Sequence, residues 1–279
     1  NSNINNYNIY YQKYSSDGQK IGISQSTPVN IVEISHQTWP HIAGQNTANS
    51  NKFAVVWMSK VTDEVSINLQ IYNNTTKVRS ENDILVSINN IQTNSNLPSN
   101  LKYKNQLYPK VVGLSDGKFL ITYPEYDLTN ILKISGKIFS DTGNLVTTFQ
   151  VNNLSGFDSV IYPYPFALIR NDPISVEFGV AFMKEYKTNN SNEISNTERF
   201  KVQFKVFTLS QNNVVLAQTI NDTNIVDSNG NVVTTDINTI FNPTSSSLTI
   251  SEGLVSAQGC ADGGFVISFY RSHEGTINA

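Results

Sequence analysis

Residues 116–152 read DGKFLITYPEYDLTNILKISGKIFSDTGNLVTTFQVN, and this stretch decides the fold. Asp116-Gly117 leads into Phe119-Leu-Ile-Thr-Tyr123, an apolar run with an aromatic at each end. An alternating segment, Ile134 to Phe139, follows, then Asp141-Thr142-Gly143, then a segment closing on Val151-Asn152. Short apolar or alternating segments punctuated by Asp, Asn and Gly predict antiparallel strands joined by tight hairpins, because Asn and Gly tolerate the positive φ such turns need.

The same order recurs along the chain. The aromatic-ended strand appears as Phe53–Trp57, Phe119–Tyr123, Phe178–Phe182 and Phe265–Phe269. The alternating strand appears at Ile67–Tyr72, Ile134–Phe139 and Val202–Phe207, and again at Ile9–Tyr14. Turns follow each, at Ser16-Asp17-Gly18, Asn73-Asn74, Asp141-Thr142-Gly143 and Gln211-Asn212-Asn213. A third strand ends in an apolar–Asn step at Val29-Asn30, Ile88-Asn89, Val151-Asn152 and Ile220-Asn221. An aromatic–Pro pair opens a further strand at Trp39-Pro40, Tyr108-Pro109 and Tyr164-Pro165, since proline suits a first or edge position. The last repeat lacks that pair, and Leu248 to Ala257 fills its place.

Four short strands per repeat predict an all-β, β-propeller-like fold of about four blades of four antiparallel strands. The repeats run roughly over 35–90, 105–153, 160–222 and 245–279 with 1–31. The last supplies only its first two strands, and the N-terminus supplies the other two. The expectation is a single domain over 1–279 whose last blade is completed by the N-terminal strands, which removes exposed sheet edges. Helical periodicity is nearly absent. Residues 224–233 predict an extra hairpin around Asn229-Gly230. The chain begins and ends mid-pattern, as expected of a piece of a larger protein.

Composition narrows the function. At 279 residues the chain can bury a large core. Charged residues are 15% and the net charge is −3, so a nucleic-acid partner is not expected. No apolar run reaches membrane-spanning length. A single cysteine, Cys260, rules out an internal disulfide framework, and it reads as a small buried filler. Asn, Ser and Thr dominate the polar residues, which suits an extracellular β-protein and equally suits AT-rich codon usage.

The order Asp-Gly-x-Phe, alternating strand, Asp-x-Gly, then Gln150-Val151-Asn152 resembles repeats of large bacterial surface and RTX-associated proteins, and of some protist surface proteins. The match is clearest over Asp116–Asn152. The resemblance implies an extracellular, propeller-like repeat with a binding or structural role, and its motifs assign no functional residues. The Gly- and Asp-rich RTX nonapeptide is absent.

Candidate chemistry is sparse. His36, His41 and His273 lack the partners a metal site needs, and no nucleophile elbow occurs. No catalytic residue is assigned and the chain is expected not to be an enzyme. The expected function is a structural or adhesive module of a cell-surface assembly, with other subunits or repeats of that assembly as partners. The alternative is a lectin-like propeller binding glycans or protein, with a sialidase-like glycoside hydrolase a distant third. Its arginines, Arg79, Arg170, Arg199 and Arg271, scatter over different repeat phases, and Asp172 and Glu177 are generic acids. The candidate ligand platform is Tyr123 with Tyr126, and Tyr162 with Tyr164. No cofactor is required. Calcium has candidate ligands in Asp227, Asn229 and Asn231, and secondarily in Asp141 with Asn144. Asn-x-Ser/Thr glycosylation acceptors occur at Asn73, Asn74, Asn153, Asn189 and Asn221.

Overall fold

The computed structural model describes residues 7–22, 27–31, 36–47, 50–61, 64–90, 108–126, 132–152, 160–169, 176–186, 199–220, 225–226, 232–233 and 249–274. Among these residues every regular element is a strand. The N-terminal segment folds as two short pairs, β1 (Tyr10–Tyr11) with β4 (Thr27–Pro28) and β2 (Lys13–Tyr14) with β3 (Lys20–Ile21). The first blade holds β5 (His36–Gly44), β6 (Lys52–Val61) and β7 (Glu64–Asn73), with β8 (Thr76–Lys77) and β9 (Ile84–Asn90) both pairing β7. The second is β10 (Lys110–Gly113), β11 (Phe119–Tyr126), β12 (Leu132–Phe139) and β13 (Leu145–Gln150). The third is β14 (Val160–Ala167), β15 (Val176–Tyr186), β16 (Arg199–Ser210) and β17 (Asn213–Ile220). A small hairpin, β18 (Ile225–Val226) with β19 (Val232–Val233), falls where the Asn229-Gly230 signal placed one. The chain ends in the pair β20 (Thr249–Gly259) and β21 (Phe265–Glu274). In the second and third blades consecutive strands pair in order as antiparallel meanders, and the fold is all-β and β-propeller-like.

The chain divides into two compact units, residues 1–125 with 136–148, and residues 126–135 with 149–279. In the first unit the two blades share a core of Val56, Ile67, Leu69, Phe119, Ile121 and Tyr123. These are the inward positions of alternating strands. The N-terminal strands cover the other face of the first blade, where Ile9 and Val29 bury Val55, Trp57 and Tyr72. The Trp57 indole, fully buried, donates to Gln37 Oε1 at 2.5 Å. In the second unit Phe166, Leu168, Ala181, Met183, Val206 and Ala257 pack together, with Phe265 against Phe166 at a ring separation of 4.9 Å.

Repetition extends to single hydrogen bonds. The Val29 N–H donates to Ile9 O at 2.8 Å and the Ile9 N–H to Asn30 Oδ1 at 2.9 Å. Val151 and Asn152 hold Ile134 the same way, at 2.9 and 2.8 Å. The apolar–Asn step is thus a clamp on the start of the preceding strand. The N-terminal pair thus carries the same clamp as β12 and β13 of the second blade. Four turns are also superimposable in pattern: Ser15–Gln19, Leu114–Lys118, Ser140–Asn144 and Cys260–Gly264. In each, the fourth residue is a glycine at φ 81–87° donating to the first residue's carbonyl.

Proline departs from expectation. Pro40 does not open its strand but sits inside β5, where the register slips between Thr38 and His41. The same slip in β14 lies between Ile161 and Tyr164, so the counterpart of Trp39-Pro40 is Tyr162-Pro163, not Tyr164-Pro165. Residues in a bulge leave the hydrogen-bond ladder, which is why a residue without an N–H is tolerated mid-strand. In β20 the slip falls between Gly253 and Ser256, placing Leu254-Val255 there. Cys260 is the half-buried first residue of its turn rather than a buried filler.

Candidate functional site

The bulges put aromatic side chains in an unusual setting. Trp39 and Tyr162 adopt φ of 55° and 53°, a left-handed region that L-residues with bulky side chains rarely occupy. Trp39 leaves 48% of its surface exposed, and its ring meets Tyr108 edge-on at 4.6 Å between centroids. Tyr108 stands before Pro109 as Trp39 stands before Pro40, so equivalent positions of two neighbouring first strands build this pair.

The residue after each proline is polar and ionisable. His41 pairs with Val56, and Lys110 pairs with Thr122. His41 Nδ1 accepts a hydrogen bond from the Val111 N–H at 3.2 Å, tying the first strands of two blades together. Burial, assisted by the Lys110 charge, lowers the His41 pKa to about 4, so the imidazole is neutral near pH 7. Burial also lowers the Lys110 pKa. Trp39 and Tyr108 thus form a partly exposed aromatic pair, and a neutral imidazole and a lysine follow their prolines in the chain.

The sequence-predicted platform is divided. Tyr123 lies in the blade core, 1% exposed, where burial drives its phenol pKa upward, so it is corrected from ligand platform to core. Its run alternates toward the shared core, and the following proline does not turn it out. Tyr126 ends β11, and its side chain lies outside the described residues. Tyr162 is half-buried at the strained bulge, and Tyr164 is half-buried against the second unit's core. Trp39 and Tyr108, quoted as a structural motif, were missed as ligand candidates. The shared aromatic–Pro step was the available signal.

Asp227, Asn229 and Asn231 lie outside the described residues, as do Asn153, Asn189 and Asn221. Asp141 pairs with Lys52 at 2.5 Å and Asn144 Oδ1 accepts from Arg79 at 2.8 Å, so protein cations already engage that turn. Among the described residues no cluster of three His, Cys, Asp or Glu is placed to hold a metal. Asn73 and Asn74 stand exposed at the tip of the β7–β8 hairpin, Asn74 with φ 59°. Arg170 and Asp172 lie outside the described residues, and Glu177 lies on β15. No helix among the described residues is long and apolar enough to cross a membrane.

No protein-family model matches the chain, and no curated protein matches it. One solved structure that it resembles is the crystal structure of a thermostable family-43 glycoside hydrolase. The likeness has a TM-score of 0.36 and 14% sequence identity, and covers 90% of this chain and 96% of that one. The expectation that the chain is not an enzyme is corrected on this finding, because the matched structure is a hydrolase. A likeness this distant carries no activity, substrate or catalytic residue across.

Proposed function

We propose that this chain is a carbohydrate-binding adhesive module of an extracellular or cell-surface protein, gripping a sugar at Trp39 and Tyr108. One observation carries the reading: an aromatic residue is held at positive φ in a bulge with half its surface exposed. A backbone outlier of this kind costs about 1–3 kcal/mol and persists where the surrounding structure enforces it, often at binding sites. A buried Leu or Val would fill a core without that strain. Sugar rings offer apolar C–H faces and a rim of hydroxyls. An aromatic surface beside polar groups such as His41 and Lys110 matches both. The extracellular setting rests on the Asn-, Ser- and Thr-rich composition and the resemblance to surface-protein repeats.

The test is a glycan array probed with the whole chain, followed by titration of Trp fluorescence with any hit. The chain has two tryptophans and Trp57 is buried, so sugar at the site changes Trp39 emission selectively. Trp39→Ala is expected to weaken binding at least tenfold and Tyr108→Ala to weaken it less. Full affinity in Trp39→Ala overturns the reading. The same incubations, assayed for new reducing ends, report whether a bound glycan is also cleaved.

A further inference from the structure

A second concavity lies in the first unit, between the N-terminal strands and the first blade. It measures about 360 Å³ and is open to solvent. Tyr11 and Tyr14 line one side, and Ile42, Lys52 and Phe53 the other, with Lys13 at its edge. That volume is within the range of small-ligand sites.

Its walls are partly fixed in place. The Tyr11 ring packs on Phe53 at 5.3 Å and on Tyr72 at 4.9 Å. Tyr14 is 54% exposed and Ile42 is 55% exposed, so each side of the cleft presents a large apolar group to solvent. The polar elements carry one sign of charge. Lys13 and Lys52 both line the cleft, and no carboxylate does. Lys13 Nζ donates to Asn74 Oδ1 at 2.5 Å and Lys52 Nζ to Asp141 Oδ2 at 2.5 Å. Each ammonium has three donors, so an anchored lysine keeps others for an anion.

We infer that this cleft binds an acidic saccharide, with its sugar ring on the tyrosine wall and its carboxylate or sulfate between Lys13 and Lys52. Charge complementarity selects the ligand class: Lys13 is held only by the neutral Asn74 amide and Lys52, paired with Asp141, keeps further donors, so a neutral sugar leaves the Lys13 charge unused. The aromatic wall distinguishes a sugar acid from a bare anion, which has nothing to set against Tyr14. The site is separate from the Trp39 pair and stands or falls without it.

Calorimetric titration of the whole chain tests this with four probes: a sulfated tetrasaccharide, its desulfated counterpart, a uronic-acid tetrasaccharide and inorganic sulfate. The expected result is binding of one or both acidic tetrasaccharides, weakening as salt rises. The desulfated sugar and inorganic sulfate are each expected to bind at least tenfold more weakly. Lys13→Ala and Tyr14→Ala, both at accessible positions, are each expected to weaken binding about tenfold with folding intact by circular dichroism. A loss in Trp39→Ala equal to that in Lys13→Ala would put the acidic sugar on the Trp39 pair instead and overturns the inference. No binding of either acidic tetrasaccharide overturns the inference, as does full affinity in both Lys13→Ala and Tyr14→Ala. Sulfate binding as tightly as the sulfated sugar also overturns it.

Discussion

His41 shows how one side chain links pH to stability. Its imidazole must be unprotonated at Nδ1 to accept from Val111, and its folded pKa is about 4. The unfolded value is about 6.5. The unfolded chain therefore takes up the proton first as pH falls, and the folded state is penalised between about pH 6.5 and 4. Above that window His41 contributes no pH dependence, and below it the loss is complete, at most about 3 kcal/mol. His41→Asn keeps an acceptor but cannot titrate. Urea midpoints measured from pH 7 to pH 4 should fall more steeply for the native chain than for His41→Asn; parallel curves would remove His41 from the account. Trp39 allows a second residue-scale experiment. Its left-handed backbone costs roughly 1–2 kcal/mol with any side chain beyond glycine. Trp39→Gly should therefore unfold at higher urea than Trp39→Ala, by about 1 kcal/mol, while both lose sugar binding. Equal stabilities would mean the strain is not present in solution.

Between blades the elements approach so closely that one position in the first strand admits only a small residue. A Cβ on Gly113 would stand 2.1 Å from the Gly44 carbonyl oxygen, and one on Gly259 would stand 1.8 Å from that of Ala167. The four residues occupy one repeat position, each opposite the first aromatic of the next strand. Backbone cannot yield as a side-chain tip can, so Gly113→Ala should cost about 1–3 kcal/mol or more in chemical denaturation; a loss under 0.5 kcal/mol would show that the strands separate freely. Asn152→Ala should cost roughly 1–3 kcal/mol by leaving the buried Ile134 N–H without its acceptor, whereas Asn152→Asp retains one. The strands themselves were legible, since Phe119–Tyr123 and its copies pair an apolar run with turn residues at fixed offsets. The bulge was not. Tyr164-Pro165 and Tyr162-Pro163 look alike in one dimension, and only strand register tells which pair is looped out of the ladder. Gly113 and Gly259 each stand three residues before an Asp-Gly turn, a pattern visible in the sequence whose reason lies in the neighbouring blade. The cleft at Tyr14 was illegible because Tyr14, Ile42 and Lys52 belong to segments that carry no shared motif.

At the scale of the whole chain, a blade has two apolar faces and neither can stay wet. The first blade covers one with the second blade and the other with residues 7–22 and 27–31, through Ile9 and Val29 on Val55, Trp57 and Tyr72. Those N-terminal residues are held by their own Asn30 clamp and by Asp83, whose carboxylate accepts from the Ile31 N–H at 3.0 Å. The sequence marked Ile9–Tyr14 as a copy of the alternating strand and assigned it to the last blade; its cover over Trp57 carries no sequence signal. Deleting residues 1–31 should therefore strip the cover from the first blade without removing any strand of it. Trp57 then moves from a dry, hydrogen-bonded setting toward water. In a Trp39→Phe background, where Trp57 is the sole tryptophan, its emission should shift to longer wavelength on truncation. A dye that binds exposed apolar surface should brighten with it. The truncated chain should also associate at lower concentration, since an uncovered sheet face seeks another. An unshifted Trp57 emission would mean that the first blade buries its aromatic face unaided, and that the N-terminal strands are an appendage to the repeat rather than part of its core.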